Sequence, residues 1–366
     1  MSYTMNNIVQ LAAQRGASDI HIGLAKPIKC RIDGNIVNLD EKVVTEEQIK
    51  EFVIELIGEK YNQITSMGEV DVGFTFPCGI RVRGNVYREN RKLAIAIRIF
   101  PDFIPKIEEL GLPQCVENIP NMKNGIVIVS GETGSGKSTT LAAILDRINS
   151  TRQGHIITLE EPIEYIFDDN KCIVSQREIG VDTLNFASGL RSILREDPDV
   201  IMIGEMRDYE TVSAALNAAE TGHLVLATLH TNSAADTLDR IIGIFPEHAQ
   251  AQTRMQLSNT LCCVLSQRLL PKKDGTGRVL ACEAMMVNNA MRNLIREGKT
   301  HQLDTFIGLA SNEGSISMDT ALKNLVDSNK ISLEVAEIHA KNKENLRAQC
   351  TLEENSDNRG FFGKRR

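Results

Sequence analysis

The first residues carry apolar side chains at helical spacing. Met5, Ile8, Val9, Leu11 and Ala12 form an i, i+3, i+4 pattern, which predicts an amphipathic helix that ends at Gly16. Short apolar runs with β-like alternation follow at Asp19–Ile22, Ile28–Ile32, Val70–Phe76, Arg81–Tyr87 and Leu93–Ile99. The dipeptide Asp33-Gly34 favours a tight hairpin turn. These patterns predict a small α+β domain over residues 1–100.

The pattern changes after three prolines. Pro101, Pro105 and Pro113 lack backbone donors and disfavour a continuous helix or central strand, so residues 101–113 are predicted to be a linker. Beyond them, short apolar runs alternate with helical segments, which predicts a buried parallel sheet with helices on both faces. The predicted strands are Ile126–Val129, His155–Leu159, Val200–Ile203 and Leu224–Thr228.

The last third of the chain is predicted to be mainly helical. From Pro246 onward one strand-like run stands out, at Arg278–Cys282, and Cys262 and Cys263 fall in an apolar stretch that we expect to be helical. The predicted core domain therefore covers residues 114–345, and a flexible tail is expected over residues 346–366.

Composition narrows the classes of protein. Hydrophobic residues make up 42% and charged residues 24%, as in an ordinary globular protein. The net charge of −7 argues against a broad nucleic-acid-binding surface. No apolar run reaches the roughly 18 residues that a membrane span needs, and no leader peptide is recognisable. The eight cysteines contain no C-x-x-C pair, so a reduced cytoplasmic setting is expected.

A glycine-rich segment carries the clearest chemistry. Gly131-Glu132-Thr133-Gly134-Ser135-Gly136-Lys137-Ser138 matches G-x-x-x-x-G-K-[ST] between a predicted strand and a predicted helix. Such a P-loop (Walker A) turns backbone amides and a helix N-terminus toward a phosphate chain. Lys137 is expected to reach the β- and γ-phosphates, and Ser138 to ligate Mg²⁺. ATP with Mg²⁺ is therefore the predicted ligand.

Acidic and histidine residues follow the predicted strands. Glu205 ends an apolar strand, where a carboxylate can orient the attacking water or hold the Mg²⁺ shell through water. Glu160, Glu161 and Glu164 form a second acidic cluster, which is either a metal and water site or a solvated loop. His223 and His230 bracket another strand, and only His230 is expected at the P-loop end. Arg207 is a candidate cation near the same phosphate.

Four motifs in order resemble the type II/IV secretion ATPase superfamily. They are Gly131–Thr139, the acidic box Glu160–Glu164, the segment Arg195–Asp208 and the His box from Glu220 to Thr231. Ala17–His21 with Arg31–Gly34 resembles the N-terminal domain of pilus retraction ATPases, and Ala290–Arg296 is similar to their retraction signature. Three departures occur: Glu161 stands where the family often has Asp, Met291 replaces a usual Ile, and the ending Phe361–Arg366 has no counterpart.

The resemblance implies a RecA-like α/β ATPase core with a smaller PAS-like N-terminal domain. It implies a homohexamer in which Glu205 is the catalytic glutamate, Glu160 and Glu164 are acidic-box carboxylates, and His223 and His230 are the His-box pair. Thr139 joins the nucleotide-binding loop. Arginines of the N-terminal domain are expected to reach nucleotide, with Arg81, Arg83 and Arg98 as candidates.

The implied activity is ATP hydrolysis that powers type IV pilus retraction and twitching motility. The implied partner is a platform protein of the inner membrane, which places the motor at the cytoplasmic face of that membrane without a span of its own. Two alternatives remain: an assembly ATPase for pili or secretion pseudopili, in which a four-cysteine zinc module and a longer N-terminal region are common, and a nucleic-acid translocase.

Overall fold

The computed structural model describes residues 4–32, 34–58, 61–62, 64, 68–101 and 103–350. The chain divides into two compact units. The first comprises the residues up to Ile104 together with Pro162–Ile166, and the second comprises Pro105–Glu161 and the chain from Phe167 onward. The predicted turn residue Asp33 and the ending Phe361–Arg366 lie outside the described residues. In the described segments, no helix is both long and apolar enough to cross a membrane.

The first unit contains an antiparallel sheet on which helices pack. Its strands lie in the order β3-β2-β1-β6-β5-β4. The elements are α1 (Met5–Gln14), β1 (Ala17–Gly23), β2 (Pro27–Ile32), β3 (Asn35–Val43), α2 (Glu46–Ile57), β4 (Glu69–Thr75), β5 (Arg81–Glu89) and β6 (Lys92–Ile99). Helix α2 starts with a capping box, in which Thr45 and Gln48 satisfy each other's backbone N–H. The buried faces of α1 and α2 pack on one face of the sheet.

The second unit is built on a seven-stranded sheet in the order β13-β12-β7-β11-β10-β8-β9. Every neighbouring pair is parallel except β12 with β13. The strands are β7 (Gly125–Gly131), β8 (Gly154–Glu160), β9 (Cys172–Glu178), β10 (Val200–Ile203), β11 (Leu224–Leu229), β12 (Leu261–Pro271) and β13 (Arg278–Met286). The sheet is therefore mixed, with one antiparallel strand at its edge.

The last described residues, 343–350, are helical, and further helices connect the strands and follow β13. They are α3 (Lys137–Thr151), α4 (Phe186–Ile193), α5 (Tyr209–Glu220), α6 (Ala234–Ile244), α7 (Glu247–Thr260), α8 (Asn289–Glu297), α9 (Leu303–Leu309), α10 (Met318–Asp327) and α11 (Leu333–His339). Short 3₁₀ helices lie at Ile107–Glu109, Gln114–Asn121, Thr300–Gln302 and Ser311–Glu313. The expected tail begins within a packed region, because Leu346 and Cys350 are buried against α10 and α11.

The apolar runs of the central strands are buried on both faces of this sheet. In β10, for example, Ile201 and Ile203 belong to one core, and Val200 and Met202 belong to the core on the other face. Two-sided burial explains why these strands read as continuous apolar runs rather than as alternating patterns. It also leaves the carboxyl ends of the parallel strands as the edge where polar side chains emerge.

The helix expected around Cys262 and Cys263 is wrong. These residues lie on β12, which hydrogen-bonds to β7 on one side and to β13 on the other. Because the strand is almost fully buried, its sequence lacks the polar alternation that marks a strand. Burial raises the pKa of the Cys263 and Cys282 thiols, which therefore remain protonated packing groups.

Asn149 of α3 joins that helix to the segment leading into β9. Its Nδ2 donates to the backbone oxygen of Asp168 (2.8 Å), and its Oδ1 accepts from the backbone N–H of Asn170 (3.2 Å) and Cys172 (3.3 Å). The side chain is only 4% exposed.

We expect Asn149→Ala to lower the free energy of unfolding by about 2–4 kcal/mol, because buried backbone groups lose their partners. Urea denaturation measures the loss. Ser150→Ala, next on the helix, is the control and should cost far less; equal losses would contradict the assignment.

Candidate active site

Gly131, at the end of β7, is packed too closely to carry a side chain. Its φ is +145°, and a Cβ there would lie 2.5 Å from the backbone oxygen of Gln267 and 2.5 Å from Ser135 Oγ. Gly134 and Gly136 also have positive φ values, of +80° and +94°. Glycine tolerates these conformations without steric cost. The three glycines therefore allow the chain to wrap tightly before α3 begins.

Lys137 is the first residue of α3 and lies at the centre of the loop. Its side chain is 8% exposed, and Nζ donates to the backbone oxygens of Gly131 (2.7 Å) and Glu132 (2.9 Å). The first turn of a helix leaves backbone N–H groups without intrahelical partners, and the helix dipole adds positive potential there. An ammonium group beside such a helix start is the arrangement that binds a phosphate chain.

A chain of polar contacts extends from this lysine. Lys137 Nζ is 3.5 Å from His230 Nδ1, and His230 Nε2 is 3.4 Å from Glu205 Oε2. The same Oε2 lies 2.6 Å from Nη2 of Arg207. With lysine donating to Nδ1, the imidazole carries its proton on Nε2 and directs it toward the carboxylate. The structure thus joins four of the predicted site residues into one cluster.

Strand register explains why these residues meet. β7, β11 and β10 are parallel neighbours, so their carboxyl ends lie at one edge of the sheet. Glu205 follows β10 in a turn that is attached to β11: Met206 N–H donates to the backbone oxygen of Thr228 (3.1 Å), and the Thr228 hydroxyl donates to that of Gly204. These bonds orient the glutamate toward the P-loop.

The environment of Glu205 favours its charged form. Burial, the largest single influence, raises the pKa of this carboxyl, but the hydrogen bond from Arg207 and favourable electrostatic interactions with His230 and Arg207 together outweigh it. The pKa of Glu205 is therefore below the ordinary value of a glutamate. A carboxylate that stays ionised near neutral pH can accept a hydrogen bond from water and polarise it.

Glu160 lies at the end of the neighbouring strand β8. It is 7% exposed, and its Oε1 accepts hydrogen bonds from the Thr158 hydroxyl (2.7 Å) and from Gln176 Nε2 (3.2 Å). Gly204, just before Glu205, donates its N–H to the backbone oxygen of Leu159 (2.8 Å). The two carboxylates therefore follow adjacent strands at the edge where the P-loop lies.

His223 is placed differently from His230. It precedes β11, at the amino end of the strand, and its Nδ1 is 2.9 Å from the backbone oxygen of Ala218. Six residues of extended strand separate it from the P-loop edge, about 20 Å along the sheet. Within one chain, His223 is not part of the cluster around Lys137.

Two of the candidate arginines share one face of the sheet in the first unit. Arg83 and Arg98 are directly opposite each other on β5 and β6. Arg83 Nε is 3.8 Å from Asp71 Oδ1, and Arg98 Nε is 3.1 Å from Asp19 Oδ1. Both guanidinium groups remain largely exposed, so they are available to an external anion at little desolvation cost.

The third arginine is held by the acidic-box segment. Arg81 Nε donates to the backbone oxygen of Ile163 (2.6 Å), and its Nη1 donates to the Thr75 hydroxyl (3.2 Å). Ile163 and Glu164 belong to the short stretch Pro162–Ile166 that is part of the first unit, whereas Glu160 belongs to the second. The predicted acidic box is therefore divided between the two units.

Sequence reasoning missed one residue beside the loop. Gln267 of β12 is 1% exposed and is the register partner of Gly131, and its Nε2 donates to the Thr140 hydroxyl on α3 (2.7 Å). No signal in the sequence pointed to it, because its segment was expected to be helical.

The donor set suits a nucleotide with magnesium. Among the residues that the structure describes, no group of three or more His, Cys, Asp or Glu side chains could hold a metal ion alone. The Ser138 hydroxyl lies on the first turn of α3, where Mg²⁺ can also take phosphate oxygens, its preferred hard ligands. The close-packed glycines and the buried lysine fit the phosphates themselves.

A mainly parallel sheet with this loop, lysine and carboxylate defines a P-loop ATPase with a RecA-like core. The chain belongs to the family described as "Type II/IV secretion system protein", whose model matches residues 94–356. The predicted fold class and the predicted ATPase class are confirmed.

Individual relatives agree with this assignment. The chain is 42% identical over 343 residues to the type IV pilus retraction ATPase PilT of Pseudomonas aeruginosa, covering 93% of this chain and 99% of that protein. It is 40% identical over 334 residues to a twitching motility protein of Neisseria gonorrhoeae, covering 91% of this chain and 89% of that protein. A crystal structure of the pilus retraction motor PilT with bound ADP superposes with a TM-score of 0.88 at 44% identity, covering 95% of this chain and all of that chain. The predicted resemblance to pilus retraction ATPases is confirmed.

Arg207 provides a test of the charge balance at Glu205. Replacing Arg207 with Gln removes the hydrogen bond and the charge that lower the Glu205 pKa, while burial still raises it. If catalysis uses the Glu205 carboxylate, the acid limb of the kcat profile should move to higher pH. Steady-state ATPase assays across pH measure this shift. Arg207→Lys, which keeps the charge, should stay closer to the parent; an unmoved acid limb in Arg207→Gln would refute the pairing.

Proposed function

We propose that this chain is the ATPase motor that powers type IV pilus retraction, acting as a homohexameric ring at the cytoplasmic face of the inner membrane. The contact chain from Lys137 through His230 to Glu205 carries the proposal, because it joins a phosphate-binding loop to a carboxylate suited to polarise water. Similarity to retraction ATPases over nearly the whole length supports the pilus assignment.

In this proposal, different residues of the second unit bind the phosphates and activate the water. The amides of Gly131–Thr139 and the Lys137 ammonium bind the phosphates, and Ser138 would hold Mg²⁺, which Glu160 and Glu205 would reach through water. Bound Mg²⁺ supplies neutralisation of the phosphate charge. Glu205 orients the attacking water toward the γ-phosphate. His230 forms hydrogen bonds to both Lys137 and Glu205, so it responds to the same phosphate.

The first unit is proposed to contribute cations in trans. Arg83 and Arg98 present exposed guanidinium groups on one sheet face, which suits an anion supplied by a neighbouring subunit. Arg81 and the acidic-box residue Glu164 belong to the same unit. If nucleotide binds more tightly when these arginines are close to it, its binding favours a closed arrangement of neighbouring subunits. Hydrolysis would then allow that arrangement to open. Repetition around the ring would act on a platform protein and dismantle the pilus.

Two substitutions separate binding from chemistry. Lys137→Ala should weaken ATP and ADP binding by about 10- to 100-fold, because a charged hydrogen-bond donor is lost from a buried site. Glu205→Gln should keep nucleotide affinity near the parental value and lower kcat by at least about 100-fold, because the base that orients water is removed. Calorimetry with ADP and a phosphate-release assay measure the two effects. Parental turnover in Glu205→Gln would remove the catalytic assignment.

Cell behaviour distinguishes retraction from the alternatives. Loss of the gene should leave surface-piliated cells that cannot twitch, whereas loss of an assembly ATPase would leave cells without pili. A nucleic-acid translocase would show salt-dependent DNA binding that stimulates its ATPase activity.

The helix α8 carries the residues that resemble the retraction signature. Arg292 Nη1 donates to the backbone oxygens of Ser258 (2.6 Å) and Asn259 (3.1 Å), which are the last carbonyls of α7. The apolar face of α8, with Met291 and Ile295, is buried in the core of the second unit. Arg292 thus joins α8 to the end of α7, immediately before β12.

We expect Arg292→Ala to abolish retraction while ATPase activity survives. Loss of the two charged hydrogen bonds should reduce the free energy of unfolding by about 1–3 kcal/mol, which leaves the protein folded. Twitching assays in cells and ATPase assays on purified protein measure the split. Lys299→Ala is the control, because Lys299 is exposed and pairs only with the nearby Glu297 in the ion pairs of the described chain. Equal loss of retraction and ATPase activity in Arg292→Ala would refute uncoupling.

A further inference from the structure

Two polar atoms beside the P-loop are buried without a hydrogen-bond partner. Within the described residues, three buried side-chain nitrogen or oxygen atoms are in this condition: Ser135 Oγ, Gln267 Oε1 and Arg268 Nε. A buried polar group without a partner costs about 1–3 kcal/mol, so such atoms are uncommon and each requires an explanation. Ser135 belongs to the loop itself, and Gln267 lies on the strand next to it.

Gln267 is held rigidly beside the start of α3. Its amide Nε2 donates to the Thr140 hydroxyl (2.7 Å), and Thr140 is itself 2% exposed on the first turn of that helix. Parallel pairing of β12 with β7 puts Gln267 level with Gly131. The glutamine therefore connects the edge of β12 to the helix whose amino end receives the phosphates.

The other end of the same amide faces the loop. Gln267 Oε1 lies 4.0 Å from the position that a Cβ on Gly136 would occupy. Ser135 directly precedes Gly136, and its hydroxyl lies beside Gly131, 2.5 Å from the position of a Cβ there. The acceptor Gln267 Oε1 and the donor hydroxyl of Ser135 therefore both lack a partner, and both lie at the same tightly wound loop.

We propose that Gln267 is a positioning residue for the phosphate loop, and that its Oε1 accepts a hydrogen bond from the Ser135 hydroxyl when nucleotide is bound. Phosphate draws the backbone N–H groups of the loop toward itself, and the loop is the part of the site that can adjust, because Gln267 is fixed by Thr140 and by the sheet. The pairing removes two unsatisfied polar atoms at once. This lowers the free energy of the bound form and favours the loop conformation that holds phosphate.

The inference rests on nucleotide binding by the loop as proposed above, and it concerns affinity rather than chemistry. Gln267 touches neither His230 nor Glu205 among the contacts described above, so it does not act on the attacking water. Its loss should therefore raise KM for ATP and the Kd for ADP and leave kcat nearly unchanged. A residue that merely supported the fold would lower the melting temperature without this split.

A double-mutant cycle on the full-length protein tests the pairing. Gln267→Met keeps the side-chain volume and removes both polar atoms, and Ser135→Ala removes the hydroxyl. Each single variant should weaken ADP binding about fivefold, the equivalent of one neutral hydrogen bond. If the two groups bond to each other, the double variant should lose little more than either single variant, because the bond can be lost only once. Calorimetric titration with ADP and steady-state kinetics with ATP give Kd, KM and kcat.

Ser266→Ala is the matched control. Ser266 precedes Gln267 on the same strand and is equally buried, but its hydroxyl pairs with Ser130 (2.8 Å) and not with α3. This variant should lose thermal stability and keep the parental Kd for ADP. Independent, multiplying losses in the double variant, or parental ADP affinity in Gln267→Met, would overturn the inference and leave the ATPase assignment intact. Absence of ADP binding by the parent protein would overturn both.

Discussion

Parallel pairing of β7, β11, β10 and β8 is the constraint on which the rest of the active site depends. Each strand is buried on both faces, so its register is set by packing above and below the sheet, and its polar residues appear only where the strand ends. Because the strands run in one direction, Lys137, His230, Glu205 and Glu160 emerge at the same edge. If the register of any of these strands shifted by one residue, all its side chains would move to the opposite face of the sheet. The functional side chain at the end of that strand would then leave the site.

The site combines rigid and adjustable parts in a way that suits a motor. The carboxylate Glu205 is attached to β11 through Thr228 and is kept ionised by Arg207 against the effect of burial. The loop from Gly131 to Gly136, by contrast, is a sequence of glycine-permitted turns whose Ser135 hydroxyl has no partner. In the proposed mechanism, chemistry takes place on fixed elements, while the binding loop retains a contact that nucleotide can complete. Coupling of hydrolysis to movement requires this kind of difference between the bound and unbound forms.

β12 connects the binding loop to the remainder of the second unit. Its Gln267 lies against the P-loop, and its first residue follows α7, whose last carbonyls are held by Arg292 of α8. The helix that resembles the retraction signature is therefore joined to the nucleotide loop through one helix end and one strand. These packed and hydrogen-bonded contacts are a candidate route for the proposed coupling between α8 and the nucleotide loop.

The sequence by itself determined the local chemistry and the central strands. The P-loop is recognisable because its glycines, lysine and serine must be adjacent in the chain, and the strands β7, β8, β10 and β11 are recognisable because full burial produces uninterrupted apolar runs. It also indicated that His230, and not His223, lies at the P-loop end. His230 follows the carboxyl end of β11, whereas His223 precedes its amino end.

Tertiary structure alone decided which elements lie beside the loop. β12 was expected to be helical, because its burial on both faces hides the alternation that marks a strand, and its identity depends on pairing with β7 and β13, which are distant in sequence. The division of the acidic box between two units and the contact of Glu205 with His230 likewise arise from packing. Local sequence can specify a loop that binds phosphate, but the neighbours that position it are brought there by strand pairing over long separations.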